Sequence, residues 1–170
     1  MKPTKKQMTT LRSITLAAML LAILVAQEEL LVLIPNVSLT SVLIMVYGVV
    51  LPLSLYFSVI IGYVIIDSLV MGSFIPVYVI PMMIMWIILG LVAKRFKLSP
   101  LYVQIIIGVF FAFVYGWSFI PGNMILLSGF KFWPYLLADI PAEAIMAVSN
   151  GVTIAFLYLP IRKQLEPLFK

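Results

Sequence analysis

Apolar residues in this chain run in long blocks and do not alternate with polar ones. The first block extends from Leu11 to Pro35. Later blocks are cut at Pro52, at Gly72 and Pro76, at Lys94-Arg95-Phe96-Lys97 with Ser99-Pro100, and at Pro121-Gly122-Asn123. About 20 apolar residues suffice to carry a helix across a hydrocarbon core about 30 Å thick. The blocks therefore predict six transmembrane helices, at about residues 12–34, 38–51, 53–71, 77–92, 101–119 and 136–159, the last beginning somewhere from Tyr135 to Ile140. Pro81 is expected either to kink the fourth helix or to mark its true start. Ile120 to Pro134 reads as the longest loop, one that could fold over the bundle as a lid. There is no internal repeat, so residues 1–170 are expected to form one bundle.

Small residues recur four apart in two blocks, as Ala18, Ala22 and Ala26 in the first and as Gly108, Ala112 and Gly116 in the fifth. That spacing drifts slowly around a helix, so each set makes a smooth stripe on which another helix can close.

Composition narrows the class. The chain is 64% hydrophobic and 10% charged, against about 45–50% and about 25% in soluble domains, so the fold class is an all-α integral membrane protein. Cysteine and histidine are absent, which excludes disulfides, thiol chemistry, most zinc sites and histidine-based triads. No G-x-x-x-x-G-K-[ST] segment occurs, so this chain does not hydrolyse ATP through a P-loop of its own. The expectation is a non-enzyme with no catalytic residue, no metal and no cofactor. Lys2, Lys5 and Lys6 precede the first block as in a signal peptide. The block exceeds the usual 7–15 or so apolar residues, however, and Gln27-Glu28-Glu29 resembles no small-residue cleavage site, so it is expected to stay as a span.

A net charge of +5 would suggest nucleic acid in a soluble protein; here the position of each charge matters more, and no nucleic-acid partner is expected. With the N-terminus in the cytoplasm, six spans put Lys2, Lys5, Lys6, Arg12, Lys94, Arg95, Lys97, Arg162, Lys163 and Lys170 inside and only Lys131 outside. Ten of eleven basic residues on one side is the positive-inside pattern, with both termini cytoplasmic.

The same topology gathers Glu28, Glu29, Asp67, Asp139 and Glu143 in the outer third of the bundle, leaving Glu166 inside. Ionisable groups at membrane depth face cavities or partners and mark functional sites. Asp139 and Glu143, four apart, share a helix face, although Asp139 ahead of Pro141 reads equally as an N-cap. Asn36, Asn123 and Lys131 join this layer, as do the aromatic residues Tyr78, Trp86, Trp117 and Trp133, with Trp86 deeper and the last two flanking the long loop. Asn150 lies further in, where it serves a neighbouring helix as readily as a ligand.

Six spans in 170 residues, a basic N-terminus and Ala18-Met19-Leu20-Leu21-Ala22 on the first helix resemble the substrate-binding S-components of energy-coupling factor (ECF) vitamin importers, over about residues 8–165. The resemblance implies that the Ala18, Ala22, Ala26 stripe docks on a transmembrane coupling protein carried by two cytoplasmic ATPases in the bacterial cell membrane. It also implies that a vitamin or vitamin precursor is held near the extracellular face and released inward when the whole component topples. A wall of carboxylates suits a ligand with amines, amides or a cation. With only Pro35 to Val37 joining the first two helices, a wide pocket is expected, which favours cobalamin, followed by an aminopyrimidine-type precursor. Biotin, folate or pantothenate fit less well. The Glu28-Glu29 pair is also faintly similar to that of membrane-embedded CAAX-type proteases, but the following arginine and the histidines are missing. Two other classes remain: a self-contained transporter or channel, which would call for coupling-ion sites and repeat symmetry that the sequence does not display, and a structural membrane protein, which needs no pocket.

Overall fold

A computed structural model describes residues 5–31, 33–34, 37–70, 72 and 74–169, with residues 5–10 given by backbone course only. All regular structure among them is helical: α1 Lys5–Leu31, α2 Thr40–Val50, α3 Leu53–Val70, α4 Pro76–Arg95, α5 Leu101–Trp117, α6 Ile120–Leu126 and α7 Phe132–Leu165, with a 3-10 turn at Glu166–Leu168. Five segments are long and apolar enough to cross a membrane, namely Leu11–Leu31, Leu53–Val70, Pro76–Arg95, Leu101–Leu126 and Phe132–Leu168. Their outward faces are apolar at helical spacing, as in Ile80, Ile84 and Ile88 of α4 or Val148, Val152 and Phe156 of α7. That is the pattern of helices solvated by lipid.

The second predicted span is realised differently. α2 has 11 residues, roughly 16 Å of helix against a core of about 30 Å, and every residue from Thr40 to Gly48 is buried. It is wrapped by the other helices, and its contact with α4 explains how. A Cβ on Gly48 would collide with the Gly90 backbone, and one on Gly90 with the Tyr56 hydroxyl. The two glycines thus let α2 and α4 cross backbone to backbone while Tyr56 donates to the Trp86 carbonyl at 2.6 Å.

Hydrogen bonds fix the direction of each element. Gln27, near the end of α1, grips the start of α2 through Thr40 Oγ1 at 2.6 Å. Tyr63, late in α3, donates to the Glu28 carboxylate. At the opposite end Lys94 Nζ reaches the Leu51 carbonyl at 3.2 Å, and Arg162 reaches that of Lys97 at 3.0 Å. One end of the bundle accordingly collects Glu28, Glu29, Asp67, Asp139 and Glu143, and the other collects Lys94, Arg95, Lys97, Arg162 and Lys163 together with Glu166.

α5 and α7 form the closest pair. Cβ atoms on Gly108 and Gly116 would meet Ile154 and Glu143 of α7, so the Gly108, Ala112, Gly116 stripe is the surface that α7 packs on. The readings of Pro141 and Pro160 change, and of the two readings of Pro81 the one as a helix start falls away. α4 starts at Pro76 and continues through Pro81. α7 starts at Phe132 and continues through Pro141 and Pro160, so Asp139 lies inside a helix and is not an N-cap. A proline within a membrane helix frees one carbonyl, a cost that neighbouring helices and local adjustment relieve. The supposed loop Ile120 to Pro134 is mostly ordered as α6 and the first turn of α7, joined through Gly129 at φ 82°.

Candidate functional site

At the acidic end, α4, α5, α6 and α7 enclose a cavity of about 320 Å³ lined by Tyr78, Ala112, Tyr115, Gly116, Phe119, Asn123, Tyr135, Asp139, Ala142, Glu143 and Met146. Each polar member arrives for a local reason. Asp139 and Glu143 are one turn apart on α7, Tyr78 belongs to the first turn of α4, and Asn123 is turned inward by α6. Tyr78 donates to Asn123 Oδ1 at 2.6 Å, and Asn123 Nδ2 donates to the Tyr135 hydroxyl at 2.6 Å, which ties three elements across the cavity rim.

Glu143 is 4% exposed, and among the described residues neither of its carboxylate oxygens has a hydrogen-bond partner. Trp117 and Asp139 are its polar neighbours but do not reach bonding geometry. Gly116 makes the room for this carboxylate, since a Cβ there would overlap it. Part of the wall is aromatic: Tyr115 packs tilted against Trp86 at 4.8 Å and meets Phe119 edge-on at 5.1 Å, while Phe119 adjoins Tyr78 at 6.2 Å.

A second polar group lies between α1 and α3. Tyr63 donates to Glu28, and Asp67, one turn further along α3, is 8% exposed and within electrostatic range of Glu28 and Glu29. Tyr115 feels both Glu28 and Asp67 and also lines the cavity, so it stands between the two groups.

Of the residues predicted from sequence, the cavity brings together Tyr78, Asn123, Asp139 and Glu143. Glu28 and Asp67 belong to the adjoining group, with Glu29 exposed beside it. Trp86 is not at the rim but 3% exposed in the core against Phe111 and Tyr115, where its ring supports the cavity wall from behind. Trp117 and Trp133 are exposed, as is Lys131, and none of them lines the cavity. Asn150 is 1% exposed and donates to the Gly108 carbonyl at 2.9 Å, so its amide is taken up in linking α7 to α5. Asn36 falls outside the described residues. Ala18, Ala22 and Ala26 all lie on the exposed side of α1.

Sequence reasoning missed Tyr115, Tyr63 and Gly116 as parts of the site. Gly116 was legible only as a packing residue, and its register with Glu143 needs the α5–α7 pairing. Among the described residues no group of three acidic, histidine or cysteine side chains is placed to hold a metal ion. The arrangement can accept hydrogen bonds and stack on flat rings. Comparison with family models, curated proteins and solved structures gave no match.

Proposed function

We propose that this chain is the substrate-binding subunit of an ECF-type importer, which captures a small vitamin or vitamin precursor in the Glu143 cavity and passes it inward with a coupling protein and two ATPases. The observation that carries the reading is the position of the small-residue stripe. Ala18, Ala22 and Ala26 lie outside the bundle's own packing, in an exposed apolar surface with Ile14, Met19 and Ile23. A stripe that served internal packing would be covered. One left open on a membrane helix is free for a partner helix to approach closely. The stripe runs along the outward face of α1 while the cavity lies among α4, α5, α6 and α7, so capture and docking do not compete for surface.

On this reading α2 counts as a sixth crossing and both termini face the cytoplasm, in keeping with the basic residues gathered at one end. The cavity volume is near the lower bound of about 300 Å³ for small-molecule sites. It supports a single-ring ligand of aminopyrimidine size over cobalamin, which is several times larger.

Native mass spectrometry of the purified chain, combined with pull-down of a coupling protein, tests the proposal. The expected outcome is a retained small molecule in the wild type, and in Ala18→Trp a loss of assembly with ligand retention intact. A chain that retains no molecule and associates with no coupling protein would remove this function. Loss of the retained molecule in Ala18→Trp with normal assembly would reverse the two assignments.

A further inference from the structure

We propose that the cavity beside Glu143 selects a small organic cation presenting two N–H groups on one edge, an amidinium or an amino-substituted ring cation, and rejects the corresponding carboxylate. This rests on the reading of the cavity as the ligand chamber and adds to it a rule for what enters.

The basis is the supply of donors and acceptors around the space. Glu143 offers two buried oxygens that have no hydrogen-bond partner among the described residues, and Asp139 brings a second carboxylate to the lining. The donors nearby are largely spent on one another: the Tyr78 hydroxyl on Asn123, and the Asn123 amide on Tyr135. The Tyr135 hydroxyl hydrogen and the second N–H of Asn123 are left over from that chain, and the Tyr115 hydroxyl is a further neutral donor on the lining. No lysine or arginine lines the cavity, and Lys131, the basic residue at this end, is exposed. The wall therefore carries two carboxylates, and its donors are all neutral.

A buried acceptor without a protein partner carries a desolvation penalty, so a ligand that brings two donors gains more here than one that brings none. A pair of N–H groups on a planar cation matches the two oxygens of one carboxylate in parallel and gains from the charge. The Tyr78, Tyr115, Phe119 and Tyr135 rings around the same space offer faces that attract a cation and stack on a flat ring. A carboxylate of the same shape would instead meet Glu143 and Asp139 with like charge and no cation to receive it, and rejection of that kind is how a site separates ligands of equal size.

Benzamidine, benzamide and benzoate share one ring and differ in charge and donors, which makes them suitable probes. Binding of each is measured by calorimetry and thermal shift on the full chain in nanodiscs, with Glu143→Gln alongside. Benzamidine should bind most tightly, benzamide at least about 10-fold more weakly and benzoate not at all. Glu143→Gln should weaken benzamidine by roughly 10- to 150-fold, the loss expected for one charge-assisted bond, and change benzamide little. Benzoate or benzamide binding as well as benzamidine would overturn the proposal and leave the chamber standing. A benzamidine preference that survives in Glu143→Gln would overturn it too. Should none of the three bind, the proposal falls. Native mass spectrometry of the same sample then judges the chamber, which stands if a neutral or anionic molecule is retained and falls if none is. The wild-type comparison decides the question even if the variant does not fold.

Discussion

Gly116 and Glu143 face each other across the α5–α7 contact so closely that a Cβ at position 116 would occupy the place of the carboxylate. The atom in the way is the end of a flexible side chain, so a methyl there would push the carboxylate aside more than it would part the helices. Gly116→Ala is accordingly expected to leave the fold within about 1.5 kcal/mol of wild type. Benzamidine affinity should drop by about 10-fold or more, the consequence of misplacing one charge-assisted bond of about 1.5–3 kcal/mol. Calorimetry and thermal unfolding of the one variant measure both. Unchanged affinity would detach Gly116 from the site.

Gly48 gives the opposite balance. A methyl there would strike the Gly90 backbone, which has no side chain to rotate away. Gly48→Ala is expected to cost about 3 kcal/mol, the upper end of ordinary overpacking, or roughly 6–12 °C in melting temperature for a domain of this size. Gly151→Ala is the control, because the nearest atom to its new methyl would be a Val109 methyl at 3.4 Å. It should be neutral or gain up to about 1 kcal/mol from helix propensity. Equal melting temperatures for the two variants would contradict the close crossing of α2 and α4.

Gln27 makes three hydrogen bonds: from Nε2 to the Leu24 carbonyl at 2.9 Å, from Nε2 to Thr40 Oγ1 at 2.6 Å, and from the Leu39 backbone N–H to its Oε1 at 2.8 Å. Leu39 has no capping side chain of its own to offer α2, so α1 supplies the polar group that the start of α2 lacks. Gln27→Leu should destabilise the chain by about 1–3 kcal/mol, because it leaves the half-buried Leu39 N–H without an acceptor. Thermal unfolding together with amide exchange at Leu39 measures this. Protection at Leu39 that persists in the variant would show another acceptor at work.

Orientation can be read by labelling. With Ser128 between α6 and α7 at the acidic end and Ser99 in the α4–α5 connection at the basic end, a cysteine at position 128 should react with an impermeant maleimide on intact cells. One at position 99 should react only after permeabilisation. The native chain contains no cysteine to interfere. Surface reactivity at position 99 would invert the bundle.

How much of this was legible in the sequence depends on the interaction concerned. The helical membrane class, the near-continuous turn at Pro52 and the Gly108, Ala112, Gly116 stripe were legible because apolar length and residue size act within one helix. Glu143 and Asp67 stood out because a carboxylate inside an apolar block is rare. Tyr63 and Tyr115 did not, since tyrosines are common wherever a helix meets the membrane interface, and nothing local separates one that rests in headgroups from one that touches a buried carboxylate. Of the two readings of Asp139 the N-cap failed, because Pro141 looks like the first turn of a helix when taken alone; the helix that continues through it is held by the long α5–α7 contact. Gln27 serves a backbone group 12 positions away, a partnership invisible before the chain has turned.

The grip of Lys94 on the Leu51 carbonyl spans 43 residues of sequence, and that interval is also a length of time. A ribosome adding about 5–20 residues per second needs roughly 2–9 seconds to make it. α3 is made within that delay, and the helix whose lysine will clasp the turn preceding α3 is completed only at the end. α2, too short to hold a place in lipid alone, is therefore made before α4 and α7, the two helices that complete its walls.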